Sequence, residues 1–137
     1  MIRAFGLLLL VFALAACGSR VRRDFGGGGS TGEVMILQDA KAVEISLWEG
    51  AIVFDLRDYE SWVQGHIQGA RLTSVEDIRD GRDLPQDRNA PILFMAEGPQ
   101  DIRPELAAEA ALEQGYTNVQ LFPGGWRAWL GLNPITR

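Results

Sequence analysis

Apolar residues in this chain gather in short runs that alternate with stretches of helical spacing. Residues 34–37 (Val-Met-Ile-Leu), 51–54 (Ala-Ile-Val-Phe), 91–96 (Pro-Ile-Leu-Phe-Met-Ala) and 119–122 (Val-Gln-Leu-Phe) are the runs. The last three predict short strands of a sheet buried on both faces. Between them, residues 39–48 place Ala42, Ile45, Leu47 and Trp48 at helical spacing, and Gly50 stops the helix. Residues 59–64 predict a brief helix ended by Gly65. Residues 104–114 carry the clearest helical signal: Pro104 in the first turn, Glu105 and Glu109 early, Gly115 at the end. A short helix over 125–130 closes the pattern. Residues 76–88 hold five acidic and three basic side chains with Gly81 and Pro85. They predict a solvated loop, the stretch best suited to touch a partner. Strands alternating with helices make the fold class α/β: a parallel sheet with helices on both faces.

The start of the chain follows another logic. Residues 5–16 are apolar apart from Gly6 and follow Arg3. About 12 apolar residues is too short to span ~30 Å of hydrocarbon as a helix, and fits a secretory signal instead. Leu14-Ala15-Ala16-Cys17 resembles the lipobox of bacterial lipoproteins, in which the cysteine is diacylated and becomes the first residue. The expected domains are therefore a lipoprotein signal peptide over 1–16, a lipidated Cys17 with a flexible Gly-rich tether over 17–32, and a folded domain over 33–137. The tether holds Gly26 to Gly29, Ser30, Thr31 and Gly32, too little apolar surface to offset its backbone entropy. As a random coil of ~15 residues it would span roughly 20 Å, enough for the domain to hover off a bilayer. The expected location is the bacterial cell envelope, lipid-anchored and facing the periplasm. Gly18 and Ser19 in place of an aspartate lean toward the outer membrane.

Charge divides the chain at the same place. Residues 1–32 carry a net +3 and residues 33–137 a net −8, together the chain's −5. An acidic domain excludes nucleic acid as an expected partner, because phosphate contacts need clustered positive charge. His66 is the only histidine, and no carboxylate cluster has metal-ligand spacing. Neither metal nor cofactor is implied.

In the folded part, Ile52-Val53-Phe54-Asp55-Leu56-Arg57 looks like the strand of the rhodanese-like domain family that ends in Asp-x-Arg. Gly65-His66-Ile67-Gln68-Gly69-Ala70 is similar to its Gly-His-Ile-x-Gly-Ala turn. Ala107-Ala108-Glu109 through Gly115-Tyr116 and Val119 matches its helix and Gly-aromatic step, and Gly124-Gly125-Trp126 with Trp129 resembles its close. The resemblance covers nearly all of residues 34–130. It implies a three-layer sandwich around a five-stranded parallel sheet. It also implies sulfurtransferase activity, or phosphatase activity in one branch. Both depend on a cysteine at the end of the fourth strand, in a loop whose N–H groups cradle an oxyanion. Asp55, Arg57, His66, Gly69, Gly124 and Gly125 then read as structural motif residues.

The cysteine is absent. Its position falls on Ala96, Glu97 or Gly98 depending on how the loop is aligned, and the only cysteine in the chain is Cys17. The remaining candidate anion cradle is Gly98, Gln100, Asp101, Ile102 and Arg103, with no residue assigned as catalytic. Glu97 and Asp101 set two negative charges against Arg103, and one of them is expected to fold in and cap the following helix. Two function classes follow. One is a non-catalytic binding or regulatory module, tethered through lipid on Cys17 and contacting an envelope protein or a small oxyanion. The other is an enzyme with altered sulfur- or phosphate-related chemistry at the same cradle.

Overall fold

The computed structural model describes residues 20–25 and 32–132. The expected signal segment, Cys17 and residues 26–31 of the expected tether lie outside them. Along the chain run β1 (Arg20–Phe25), β2 (Gly32–Leu37), α1 (Ala40–Trp48), β3 (Ile52–Asp55), α2 (Tyr59–Gln64), β4 (Arg71–Leu72), α3 (Val75–Arg79), β5 (Ile92–Met95), α4 (Arg103–Glu113), β6 (Val119–Phe122) and α5 (Gly125–Leu132). The sheet order is β1-β2-β6-β5-β3-β4. The five strands from β2 to β4 are parallel, as expected, and β1 adds an antiparallel border.

Strand alternation sorts the core into two layers. On one face Ile92 and Phe94 of β5, Phe54 of β3 and Val119 and Leu121 of β6 pack under Val75 and Ile78 of α3 and the alanines of α4. On the other, Leu93, Met95, Val53 and Phe122 meet Ala42 and Val43 of α1 and the half-buried Trp126 and Trp129 of α5. The alanines at 107, 108, 110 and 111 let α4 lie close to the sheet, so the loop that precedes it is fixed at both ends. Gln120 points into the second layer, where the Ser46 hydroxyl of α1 donates to its side-chain oxygen and removes the cost of burying a bare amide.

Two expectations are corrected. Residues 76–88 are not one solvated loop. Their start belongs to α3, where Ser74 caps the helix by accepting from the Asp77 N–H at 3.1 Å and donating to its carboxylate at 2.9 Å. Ile78 is fully buried beneath. The remainder is tied down by the Tyr116 hydroxyl, which donates to the Pro85 carbonyl at 2.5 Å and accepts from Arg88 at 2.8 Å.

Residues 20–25, read as tether, form a strand paired with β2 from Arg20↔Leu37 to Phe25↔Gly32. The border strand β2 offers a row of free backbone groups, and the Gly-rich connection allows the chain to double back and pair with them.

Candidate functional site

Parallel sheets place their ligands at the carboxyl ends of the strands, and here three segments converge there. The first follows β3. Asp55 and Arg57, at 0% and 4% exposure, form a buried pair with Arg57 Nη2 2.7 Å and Nε 3.1 Å from the carboxylate. Nη2 also donates to the Gly65 carbonyl at 2.8 Å, which fastens the end of α2 to the sheet. Asp55 and the Gly65 carbonyl together take three of the five guanidinium donors of Arg57, so it anchors the loop rather than offering itself to a ligand.

The second segment is the turn after α2. Gly69 has φ of +82°, and the Ala70 N–H closes on the Ile67 carbonyl at 2.8 Å, a turn whose third residue needs positive φ. His66 lies flat against Trp62 with ring centroids 3.9 Å apart. Its Nδ1 sits 2.8 Å from the Trp62 carbonyl. Both residues shape the turn and stand away from the cleft described next.

The third segment is the loop from Ala96 to Arg103. Glu97, Gly98, Pro99, Gln100, Asp101, Ile102 and Arg127 line an open cleft of about 380 Å³. Ala96 is buried beneath it, and its carbonyl accepts the Trp126 N–H at 2.8 Å. Of the three positions left open for the nucleophile, Glu97 and Gly98 border the cleft and Ala96 does not. Gly125 explains the close fit. A Cβ there would stand 2.4 Å from the Ala96 oxygen and 2.9 Å from the Gly98 nitrogen. Only glycine lets α5 start against the loop. At Gly124 an added Cβ would lie 2.7 Å from that of Ala128.

The electrostatics differ from the sequence expectation at two residues. Arg103, expected to hold an anion in the cradle, does not line the cleft. Asp101 grips it first, with Nε at 2.9 Å, Nη2 at 2.5 Å and the backbone N–H at 3.1 Å. The same carboxylate thereby takes the first free N–H of α4. Hydrogen bonds from Arg103 hold the Asp101 carboxyl below the usual carboxylate range, and those to Asp101 raise Arg103 in turn. Arg103 instead faces a neighbouring groove with Thr73 and Arg79.

The cation that does border the cleft is Arg127, which lies between Trp126 and Trp129 and belongs to none of the sequence motifs. Its Nε lies 3.2 Å from Glu97 Oε1, while Arg57 Nη1 lies 3.9 Å from Glu97 Oε2. Arg57 also stacks 4.6 Å over the Trp126 ring. Glu97 is thus clasped between two guanidinium groups. Pro99, also lining the cleft, has no backbone N–H to offer an anion. Among the described residues no three His, Cys, Asp or Glu side chains are arranged to hold a metal ion.

Comparison with known proteins agrees with this geometry. A model of the rhodanese-like domain matches residues 39–132. A Pseudomonas putida protein named thiosulfate sulfurtransferase GlpE is 33% identical over 97 residues, 69% of this chain and 83% of that one. GlpE of Pseudomonas aeruginosa is 32% identical over 88 residues, 62% and 74% of the two chains. Among solved structures, a Bacillus halodurans protein aligns with a TM-score of 0.61 at 24% identity, covering 70% of this chain and 72% of its own. The human single-domain sulfurtransferase TSTD1 aligns at 0.55 and 21%, covering 70% and 94%. At such identities the structural likeness speaks for the fold alone.

Proposed function

Since the chain belongs to the rhodanese-like domain family, we propose that it is a lipid-anchored, non-catalytic binding module of the bacterial envelope. The observation that carries this reading is the occupied loop. Glu97 stands where a nucleophile would border the cleft, and Arg57 and Arg127 flank its carboxylate. Asp101 neutralises Arg103. A sulfurtransferase needs a thiolate to accept sulfur as a persulfide, and residues 96–103 contain none. A carboxylate can act as a nucleophile toward phosphoryl groups. In this loop, however, the two carboxylates would repel a dianion, and the cations that could offset them are already paired. The partner is an envelope protein reached from the membrane through lipid on Cys17.

The test is direct because Cys17 is the only cysteine. Incubated with thiosulfate and cyanide, the acylated full chain is expected to produce no thiocyanate above the buffer rate. Turnover that persists in Cys17→Ser would overturn the non-catalytic reading. Turnover of a phosphate ester lost in Glu97→Gln would replace it with the altered enzyme. For the anchor, a fatty-acid label is expected on the chain in cells and absent from Cys17→Ser. Thermal unfolding with thiosulfate, sulfate or phosphate at constant ionic strength separates protein from anion recognition. A dissociation constant near 1 mM at ~10 mM ligand would add about 1.4 kcal/mol, and no such shift is expected.

A further inference from the structure

We infer that the anchored domain stands with the carboxyl end of its sheet, and with it the Glu97–Ile102 cleft, facing the bilayer. This rests on the reading that Cys17 carries lipid. The register of β1 sets the direction. Arg20 pairs with Leu37, the last residue of β2, and β2 runs parallel to β6, β5 and β3. Arg20 therefore lies at the end of the sheet that carries the cleft. Cys17 precedes it by three residues, about 11 Å at full extension. Pairing of residues 20–25 removes most of the slack that a free tether would have, so the lipid emerges beside one end of the sheet. The amino end of β2 is a further ~17 Å away along the strand.

The side chains at the two ends fit this orientation. Tyr59 and Val63, one turn apart on α2, and Ile102 in the loop before α4 all follow carboxyl ends of strands. They are 67%, 55% and 63% exposed. Tyr59 joins an apolar ring to a polar tip, the combination that settles at a headgroup boundary. The acids that follow carboxyl ends of strands are Asp39 before α1, Asp58 and Glu60 at the start of α2, Glu76 and Asp77 in α3, and Glu97 and Asp101 in the loop, with Lys41 and Arg79 interspersed. Arg103 and Arg127 oppose them, and Asp58 lies near enough to Arg103 to feel its charge. Acids outnumber bases at this end, so its contact with the bilayer rests on the apolar side chains and the lipid rather than on charge. The amino end carries one large exposed apolar residue among those described, Trp48, where α1 finishes before β3 begins. The occupant of the carboxyl end is the bilayer interface, and access to the cleft is from the membrane side.

The experiment uses acylated full chains with one added thiol, Ile102→Cys, Val63→Cys or Trp48→Cys, each at an exposed position and each carrying a nitroxide. Thioether-linked Cys17 does not react with the label. In vesicles of phosphatidylethanolamine and phosphatidylglycerol, the ratio of oxygen to nickel-chelate accessibility is expected to rise several-fold at positions 102 and 63. It should stay at the aqueous value at 48. Equal values at all three positions, or a rise only at 48, would overturn the orientation while mass spectrometry still finds Cys17 acylated. A wild-type chain that cells deliver without acyl groups on Cys17, and that stays off the vesicles, would instead overturn the anchor reading and the orientation with it.

Discussion

At the end of β3, Asp55 and Arg57 are joined by a 2.7 Å ion pair shut away from water. Six residues after the end of β5, Asp101 and Arg103 repeat the same acid-x-arginine spacing at the surface, where Arg103 is 44% exposed. Burial decides what each pair is worth. Removing Asp55 strands a buried guanidinium, so Asp55→Ala is expected to cost ~3–5 kcal/mol in urea unfolding. Asp101→Ala should cost no more than ~1 kcal/mol, because water and salt already screen its partner.

The Asp101 effect also has a pH signature. Its carboxyl is held below the ordinary range by Arg103, so the folded state favours the ionised form. That stability is present above the unfolded value near 3.9 and is lost as pH falls through the lower folded value. The difference between wild type and Asp101→Ala should therefore close as unfolding is measured at pH values below about 4. A gap that widened toward acid would refute the sign. Glycine positions offer a second contrast. Gly69 needs positive φ but has open space around its missing Cβ, whereas Gly125 at φ +59° faces the Ala96 and Gly98 backbone. Gly69→Ala should cost about 1–2 kcal/mol of backbone strain. Gly125→Ala adds overpacking of roughly 1–3 kcal/mol and displaces the loop.

Among the elements, those with unbroken apolar runs or strong helix punctuation were legible from sequence. The strands β3, β5 and β6 fall within a residue or two of the apolar runs, and α2 occupies the expected residues 59–64. What escaped was short or polar. Strand β4 is two residues long, too few for any period to show. Helix α3 is five residues within an acidic run, and it buries only Val75 and Ile78. One turn of helix makes no visible stripe. Strand β1 mixes charged and apolar residues beside a glycine tract, so composition spoke for a tether while pairing with the free border of β2 decided otherwise. The loop's location was legible from its strand and helix. The direction of Arg103 and the entry of Arg127 depended on which carboxylate reached which guanidinium, and spacing does not encode that. The buried role of α3 is testable. Ile78→Ala should cost ~2–5 kcal/mol by cavity formation, while the exposed Ile102→Ala should change stability by less than about 0.5 kcal/mol. A small loss at Ile78 would return residues 76–88 to a mobile loop.

Over the whole molecule, the charge asymmetry decides which interactions can hold the chain at a surface. Residues 33–137 carry −8, against +3 in residues 1–32. Arg20, Arg22 and Arg23 supply three of the basic charges, and each is worth about 1 kcal/mol near an anionic leaflet. Together they reach ~3 kcal/mol, an association constant on the order of 10² M⁻¹, before repulsion of the acidic domain is counted. Electrostatics alone therefore cannot keep the protein on a membrane at micromolar concentration. Two acyl chains at ~0.8 kcal/mol per buried methylene can. Residues 17–137 carrying Cys17→Ser are expected to remain in the supernatant when anionic vesicles are sedimented at about 0.15 M salt, while the acylated chain pellets. Lowering the salt should recover little of the unacylated chain, because the longer screening length strengthens the domain's repulsion along with the arginines' attraction. Co-sedimentation of Cys17→Ser at physiological salt would show that the folded domain has a lipid affinity of its own. The acyl chains would then be an addition to the anchor rather than its basis.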